Sequence, residues 1–175
     1  NYRIQIVLES IKEIIKVNKY IHLYIAGYIE DKASFWAEIE KLNIKNYVTF
    51  LGMYSQKNAP LIYQKADLYI TMSYQDNCPS AVLEAMSCGL PVLYSSTGGT
   101  PELVGINSGI GLEVPHDWKK IFVPSKESVV QGILKIFDER NFMSESARER
   151  AVKMFDINEW YKRHQEIFEK LLGER

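Results

Sequence analysis

From Ile4 to Val17 apolar side chains recur every three to four positions: Ile4, Val7, Leu8, Ile11, Ile14 and Ile15. Lys12 and Glu13 fall between them, which is the spacing of an amphipathic helix with one buried face. The period then changes. "YIHLYIAG" (20–27) reads as a strand ending at Gly27, residues 31–43 as a helix, "NYVTFLG" (46–52) as a β-branched and aromatic strand ending at Gly52, and 58–65 as a short helix. "ADLYITMS" (66–73) is the next strand. A helix opens near Pro79 and is closed by Gly89, "PVLYSS" (91–96) is a short apolar strand, and "GIGLEV" (109–114) is a weaker one. From Ser125 the pattern is helical to about residue 172. Ser125 is placed to cap the first segment, and Asp156 with Glu159 resembles a capping box for the last. The last segment carries a stripe of Trp160, Tyr161, His164, Ile167, Phe168 and Leu171, expected to pack on the domain's own core.

Short strands alternating with helices predict an α/β fold, a doubly wound and mostly parallel Rossmann-like sheet with helices on both faces and a helical C-terminal tail at about 125–172. Ligands in such folds bind beyond the carboxyl ends of the strands. The 175 residues, 46% hydrophobic, suit a single domain covering 1–175. Charge narrows the partners. Twenty-one Lys and Arg against twenty-two Asp and Glu leave no overall field to attract nucleic acid or an anionic bilayer. Two cysteines, Cys78 and Cys88, with no long apolar run, point to a reduced, soluble, cytoplasmic protein. Neither they nor His22, His116 and His164 have metal-ligand spacing, so no metal is expected. No G-x-G-x-x-G follows a strand and no G-x-x-x-x-G-K-[ST] occurs, which argues against dinucleotide redox chemistry and P-loop hydrolysis.

The candidate chemistry lies in "DNCPSAVLEAMSCGLPVLYSS" (76–96). The strand before it ends at the carboxyl edge of the sheet, and Pro79 suits the first helical position. Asp76 is then in the loop, and Glu84 about five residues into the helix, roughly 7 to 8 Å along its axis. The first-turn N–H groups lie between the two acids. Carboxylates accept hydrogen bonds from vicinal hydroxyls and a helix N-terminus favours a phosphate, so this layout suits a nucleotide sugar: ribose at Glu84, pyrophosphate at the helix start around Asn77, Cys78, Pro79 and Ser80, sugar at Asp76. A second loop, "SSTGGTPE" (95–102), adds Gly98, Gly99, Thr100 and Glu102 and is expected to face the first. The competing reading of Asp76 is a plain helix cap. Cys78 as a nucleophile has no accompanying base, and the Tyr and Trp residues are simplest as packing.

"SYQDNCPSAVLEAMSCGLP" (73–91) resembles the E-x7-E signature of family 4 retaining glycosyltransferases, and "GGTPELV" (98–104) is similar to the Gly-Gly-x-Pro-Glu loop that follows it. "LYIAG", "VTFLG" and "LIYQKADLYITMS" match in order and spacing, so the resemblance spans roughly Ile4 to Ile110. It implies the C-terminal, donor-binding half of a GT-B fold, in an enzyme moving sugar from a nucleotide sugar to a glycan or lipid-linked acceptor, with retention, without a metal, in polysaccharide biosynthesis. It also implies base recognition by backbone near Gly52 to Ser55, with Tyr54 among the donor-binding residues. The partners implied are the nucleotide sugar, an N-terminal acceptor domain absent from this chain, and peripheral membrane association at the inner face for the full-length enzyme.

There are departures from the family pattern. Asp76 stands for the first Glu of the signature, Asn77, Cys78 and Pro79 replace Gly-Phe-Gly, and Met72 stands where Pro is common. The family's opening strand and its pyrophosphate-binding Arg and Lys are missing, with only Arg3 near that place. That strand is central in the family, between the strands at 21–26 and 67–71. Asn1 to Ile4 could form a stub of it, its neighbours could pair directly, or another chain could supply it. This chain alone is expected to transfer no sugar. The competing functions are another GT-B enzyme, such as a sugar-nucleotide epimerase or phosphorylase, and a non-catalytic nucleotide- or protein-binding α/β module.

Overall fold

The computed structural model describes residues 2–173. Its elements run α1 (Tyr2–Ile14), β1 (Leu23–Ala26), α2 (Lys32–Leu42), β2 (Val48–Gly52), α3 (Ala59–Tyr63), β3 (Tyr69–Thr71), α4 (Ser80–Ser87), β4 (Val92–Ser95), α5 (Thr100–Val104), β5 (Gly109–Leu112), α6 (Lys126–Asp138), α7 (Arg140–Phe155) and α8 (Ile157–Gly173). All strand pairs are parallel. Two boundaries come from capping chemistry: Asp31 accepts from the Ser34 N–H to start α2, and the Ser125 hydroxyl accepts from the Ser128 N–H to start α6.

The strands form two sheets, β1-β2 and β3-β4-β5, and β1 is not hydrogen-bonded to β3. Direct pairing of these neighbours is therefore not how the structure closes. Nor is there a stub strand, because the chain is helical from Tyr2; Asn1, the other residue of that expectation, lies outside the described residues.

Helix α1 spans the break. Val7 and Ile14 pack with Leu93 of β4, Leu112 of β5 and Val129, Ile133 and Ile136 of α6. Leu8 packs instead with Phe35, Ile39 and Leu42 of α2 and Val48 of β2. A helix exposes a new face every 100°, so adjacent residues 7 and 8 reach different sheets. Leu23 of β1 touches both clusters. The opposite face of the three-stranded sheet is covered by α4, α5 and α7, through Val82, Met86, Val104, Ala147 and Ala151 against Val92 and Tyr94. Helices on both faces of parallel strands are the doubly wound arrangement that the pattern predicts.

Two expectations fail in the tail and one in a loop. No residue of α8 is buried, and its apolar side chains are exposed, from Trp160 at 45% to Leu172 at 71%. The buried residues of α7 are Met143, Ala147 and Ala151, which already serve the core, and extended Asp156 ends α7, so α8 leaves the domain without covering the apolar side chains of α7 that stay exposed, Val152 and Met154. The capping box is half formed: Asp156 accepts from the Asn158 N–H, but Glu159 pairs with Lys162. The stretch read as the loop 95–102 turns helical at Thr100, where Pro101 is tolerated in the first turn.

Because α1 is the common packing partner of both sheets, Leu8→Ala and Ile14→Ala should each lower the unfolding free energy by about 2–5 kcal/mol. Urea denaturation at constant m-value checks this. A loss below about 1 kcal/mol from either change would show that α1 does not join the two sheets.

Candidate active site

Helix α4 is built to start sharply and stop sharply. Pro79 is its N-cap, extended at ψ 107°, so the first helical residue is Ser80, one later than the sequence suggests. No side chain caps it; the Val82 N–H turns back to the Pro79 carbonyl at 3.0 Å, which leaves the N–H groups of Ser80 and Ala81 directed at whatever lies beyond. At the other end Gly89, with φ at +77°, lets the Leu90 N–H reach the Ala85 carbonyl and its own N–H reach that of Met86. α7 secures that end from outside. Ser144 Oγ donates to the Gly89 carbonyl at 2.6 Å and Arg148 to that of Ser87 at 2.5 Å. Arg150 does the same for α5, donating to the carbonyls of Leu103 and Glu102, each at 2.7 Å. These cations sit at helix C-termini, where the backbone dipole favours them, and fix the helices whose N-termini face the site.

Glu84 is the fifth residue of α4 and half-buried. The Tyr63 hydroxyl donates to its Oε2 at 3.1 Å and lies 3.3 Å from the hydroxyl of Tyr54. Tyr63 is 6% exposed, with its ring edge-on to Tyr54 and Tyr69. Burial, reinforced by the Tyr54 hydrogen bond, drives its acidity far out of the physiological range, so it stays protonated and remains a donor. Burial also pushes Tyr69 up to about 12. Tyr54 belongs to the loop after β2, so this chain of hydroxyls ties that loop to the Glu84 carboxylate.

The side chain of Asp76 is exposed and makes no hydrogen bond or ion pair with another described residue. It therefore caps no helix. Its backbone, by contrast, is held: the Gly99 N–H donates to the Asp76 carbonyl at 2.9 Å, and the Thr97 hydroxyl, 1% exposed, accepts from the Gln75 N–H at 3.1 Å. A Cβ on Gly98 would overlap the Asp76 backbone, and one on Gly99 would overlap the Asn77 carbonyl. Gly98 also adopts φ +61°, a conformation costly for other residues. The two glycines thus let two loops touch backbone to backbone, as expected from the sequence.

Asn77, Cys78, Pro79 and Ser80 follow directly into α4, with both cysteines present as free thiols. Thr100, 2% exposed, starts α5, and Glu102 lies exposed in its first turn. Gly52 ends β2 with φ +74° and accepts from the Gly27 N–H at 2.8 Å. Arg3 falls in the first turn of α1, and no hydrogen bond or ion pair joins it to these residues. Among the described residues no three of His, Cys, Asp and Glu gather as metal ligands would, and no helix is long and apolar enough to cross a membrane. Sequence reasoning missed Tyr63 and Thr97. Each acts through a tertiary contact, to a residue 21 or 22 positions away, that no local pattern announces.

Residues 1–153 match the family described as glycosyl transferases group 1. Among curated relatives, the O-antigen chain mannosyltransferase B of Escherichia coli is 32% identical over 85 residues, 47% of this chain and 22% of that protein. An uncharacterised glycosyltransferase of Methanocaldococcus jannaschii is 28% identical over 160 residues, 87% of this chain and 38% of that protein. The chain thus spans between about a fifth and two fifths of these relatives. The pneumococcal O-GlcNAc transferase GtfA, solved in complex with UDP and GlcNAc, superimposes on 97% of this chain with a TM-score of 0.79 at 17% identity, using 33% of its own length. The fold is that of a C-terminal GT-B domain, and the chain belongs to the glycosyl transferases group 1 family.

Proposed function

We propose that this chain is the donor-binding half of an enzyme that transfers a sugar, with retention, from a nucleoside-diphosphate sugar to a glycan or lipid-linked acceptor held by a second domain. The observation that carries this reading is the uncapped N-terminus of α4, flanked by the free carboxylate of Asp76 on one side and by Glu84 on the other, and closed over by the Gly98-Gly99 backbone. Glu84, oriented by Tyr63, accepts from the ribose hydroxyls. The N–H groups around Ser80 meet the pyrophosphate, and Thr100 and Glu102 border it from α5. Asp76 faces the sugar. As the bond from the anomeric carbon to the diphosphate oxygen breaks and the bond to the acceptor oxygen forms, positive charge grows on the ring, and a carboxylate nearby stabilises it more in the transition state than in the ground state. The proton of the acceptor hydroxyl passes to the departing diphosphate oxygen, and the nucleoside diphosphate leaves.

The UDP held by the pneumococcal neighbour supports a nucleotide donor, and the O-antigen mannosyltransferase supports a role in polysaccharide synthesis. Two thiols rather than a disulfide suit the reducing cytoplasm, with association at the inner membrane face through the full-length enzyme.

Glu84→Gln should weaken binding of the nucleoside diphosphate by roughly ten- to a hundred-fold, since a hydrogen bond to a charged group is worth about 1.5–3 kcal/mol. Tyr63→Phe, which leaves the carboxylate but removes its holder, should cost about three- to ten-fold. Calorimetry with UDP and GDP measures both, and unchanged affinity in the folded Glu84 variant would remove it from the site.

Asp76→Asn separates binding from chemistry. In the enzyme carrying the acceptor domain it should lower the transfer rate at least about tenfold while affinity for the bare nucleoside diphosphate stays within about twofold. Parallel losses in both measurements would place Asp76 at the nucleotide, and no loss in either would deny it a role in transfer.

A further inference from the structure

Asp76 follows two residues that are held by contacts to distant segments of the chain. The residue before it, Gln75, sits at φ +55°, in the left-handed region that non-glycine side chains seldom adopt. Three contacts keep it there. Its N–H donates to Thr97 Oγ1 at 3.1 Å, its side-chain Nε2 donates to the Asp117 carbonyl at 3.0 Å, and the following residue's carbonyl accepts from the Gly99 N–H. Tyr74 adds a second link to the same segment after β5. Its hydroxyl lies 2.8 Å from the Pro115 carbonyl and 3.1 Å from that of Asp117, and it accepts from the Asp117 N–H at 2.8 Å. The segment is itself shaped by Asp117 Oδ1, which accepts from the N–H groups of Lys119 and Lys120 at 2.6 and 2.9 Å. Residues 115–117 thus form a strap that grips two consecutive side chains immediately before the candidate catalytic carboxylate.

We propose that Tyr74 and Gln75 are positioning residues for sugar transfer: the strap holds Gln75 in its left-handed conformation, and that conformation aims the Asp76 carboxylate at the transferred ring. The proposal rests on the donor-binding reading of this site. Its physical basis is that the Asp76 side chain has no hydrogen-bond or ion-pair partner of its own, so the direction in which its Cα–Cβ bond leaves the chain is set by the backbone alone. A change at Gln75 φ compensated by the torsions of residues 76–79 would redirect the carboxylate while leaving α4 and Glu84 where they are. A left-handed non-glycine residue persists only where its surroundings over-determine it, and here two loops and a strap do so.

The test uses the enzyme carrying the acceptor domain, with transfer rate from a nucleotide sugar and affinity for UDP and GDP measured on the same preparations. Gln75→Val, whose β-branched side chain opposes the left-handed backbone, should lower transfer by at least about tenfold with nucleoside diphosphate affinity within about twofold of the parent. Gln75→Gly, which adopts that backbone freely, should recover transfer to within about threefold of the parent. Tyr74→Phe should lower the transfer rate by about three- to ten-fold at an unchanged KM for donor. The inference is overturned if Gln75→Val transfers at the parental rate, if Gln75→Gly falls as far as Gln75→Val, or if affinity and transfer fall together. Failure of the parent enzyme to bind either nucleoside diphosphate would instead refute the donor-site reading, and the inference with it.

Discussion

The backbone of residues 75–77 lies against the backbone of Gly98 and Gly99 with no room for a side chain between them. A hydrogen bond from Gly99 to the Asp76 carbonyl fixes the approach, and the hydroxyl of buried Thr97 fixes it again from Gln75. Everything proposed for the site depends on this contact. The loop after β3 carries Asp76 and leads into α4; the loop after β4 leads into α5; joined, they place two helix N-termini and a free carboxylate along one edge of the sheet. The parallel register of β3, β4 and β5 brings the loops to that edge, and the two glycines allow the last ångströms of approach.

The frame behind the contact is less continuous than a doubly wound fold usually is. Its strands fall into two sheets, and α1 is the element that packs on both. Behind α4 and α5, α7 acts as a brace: Ser144, Arg148 and Arg150 donate to the carbonyls that end both helices. The N-termini that face the ligand are thus held from their far ends. Tyr63 joins the remaining corner by linking the loop after β2, through Tyr54, to Glu84. A hydroxyl kept protonated by burial suits that task, because it donates to a carboxylate at any pH the protein meets.

The parts of this structure legible in the sequence are those that local chemistry encodes. Period-four and period-two runs marked the helices and strands, Ser125 stood where a cap is needed, and Gly89 and Pro79 bounded α4 within one residue. The facing loops could be foreseen from Gly98 and Gly99, since paired glycines after a strand allow close backbone approach. What stayed hidden was decided by tertiary neighbours. The stripe on α8 looked like a core face, but a stripe records amphipathicity and does not say which surface will cover it. The short helix α5 was concealed by the Gly-Gly-Thr-Pro run that begins it. Tyr63, Thr97 and the strap at 115–117 belong to the site through contacts between distant segments, and no spacing rule connects them to Asp76 or Glu84.

The central claim is that the loops after β2, β3 and β4 form one nucleotide site, and amide chemical-shift mapping during titration with UDP and GDP tests it most directly. Perturbations should appear together, with one shared affinity, at Gly52 to Ser55, at Asp76 to Glu84 and at Gly98 to Glu102. Saturating nucleotide that leaves Asp76 to Glu84 unperturbed, or that shifts only amides elsewhere, such as those around Arg150 between α5 and α7, would contradict it.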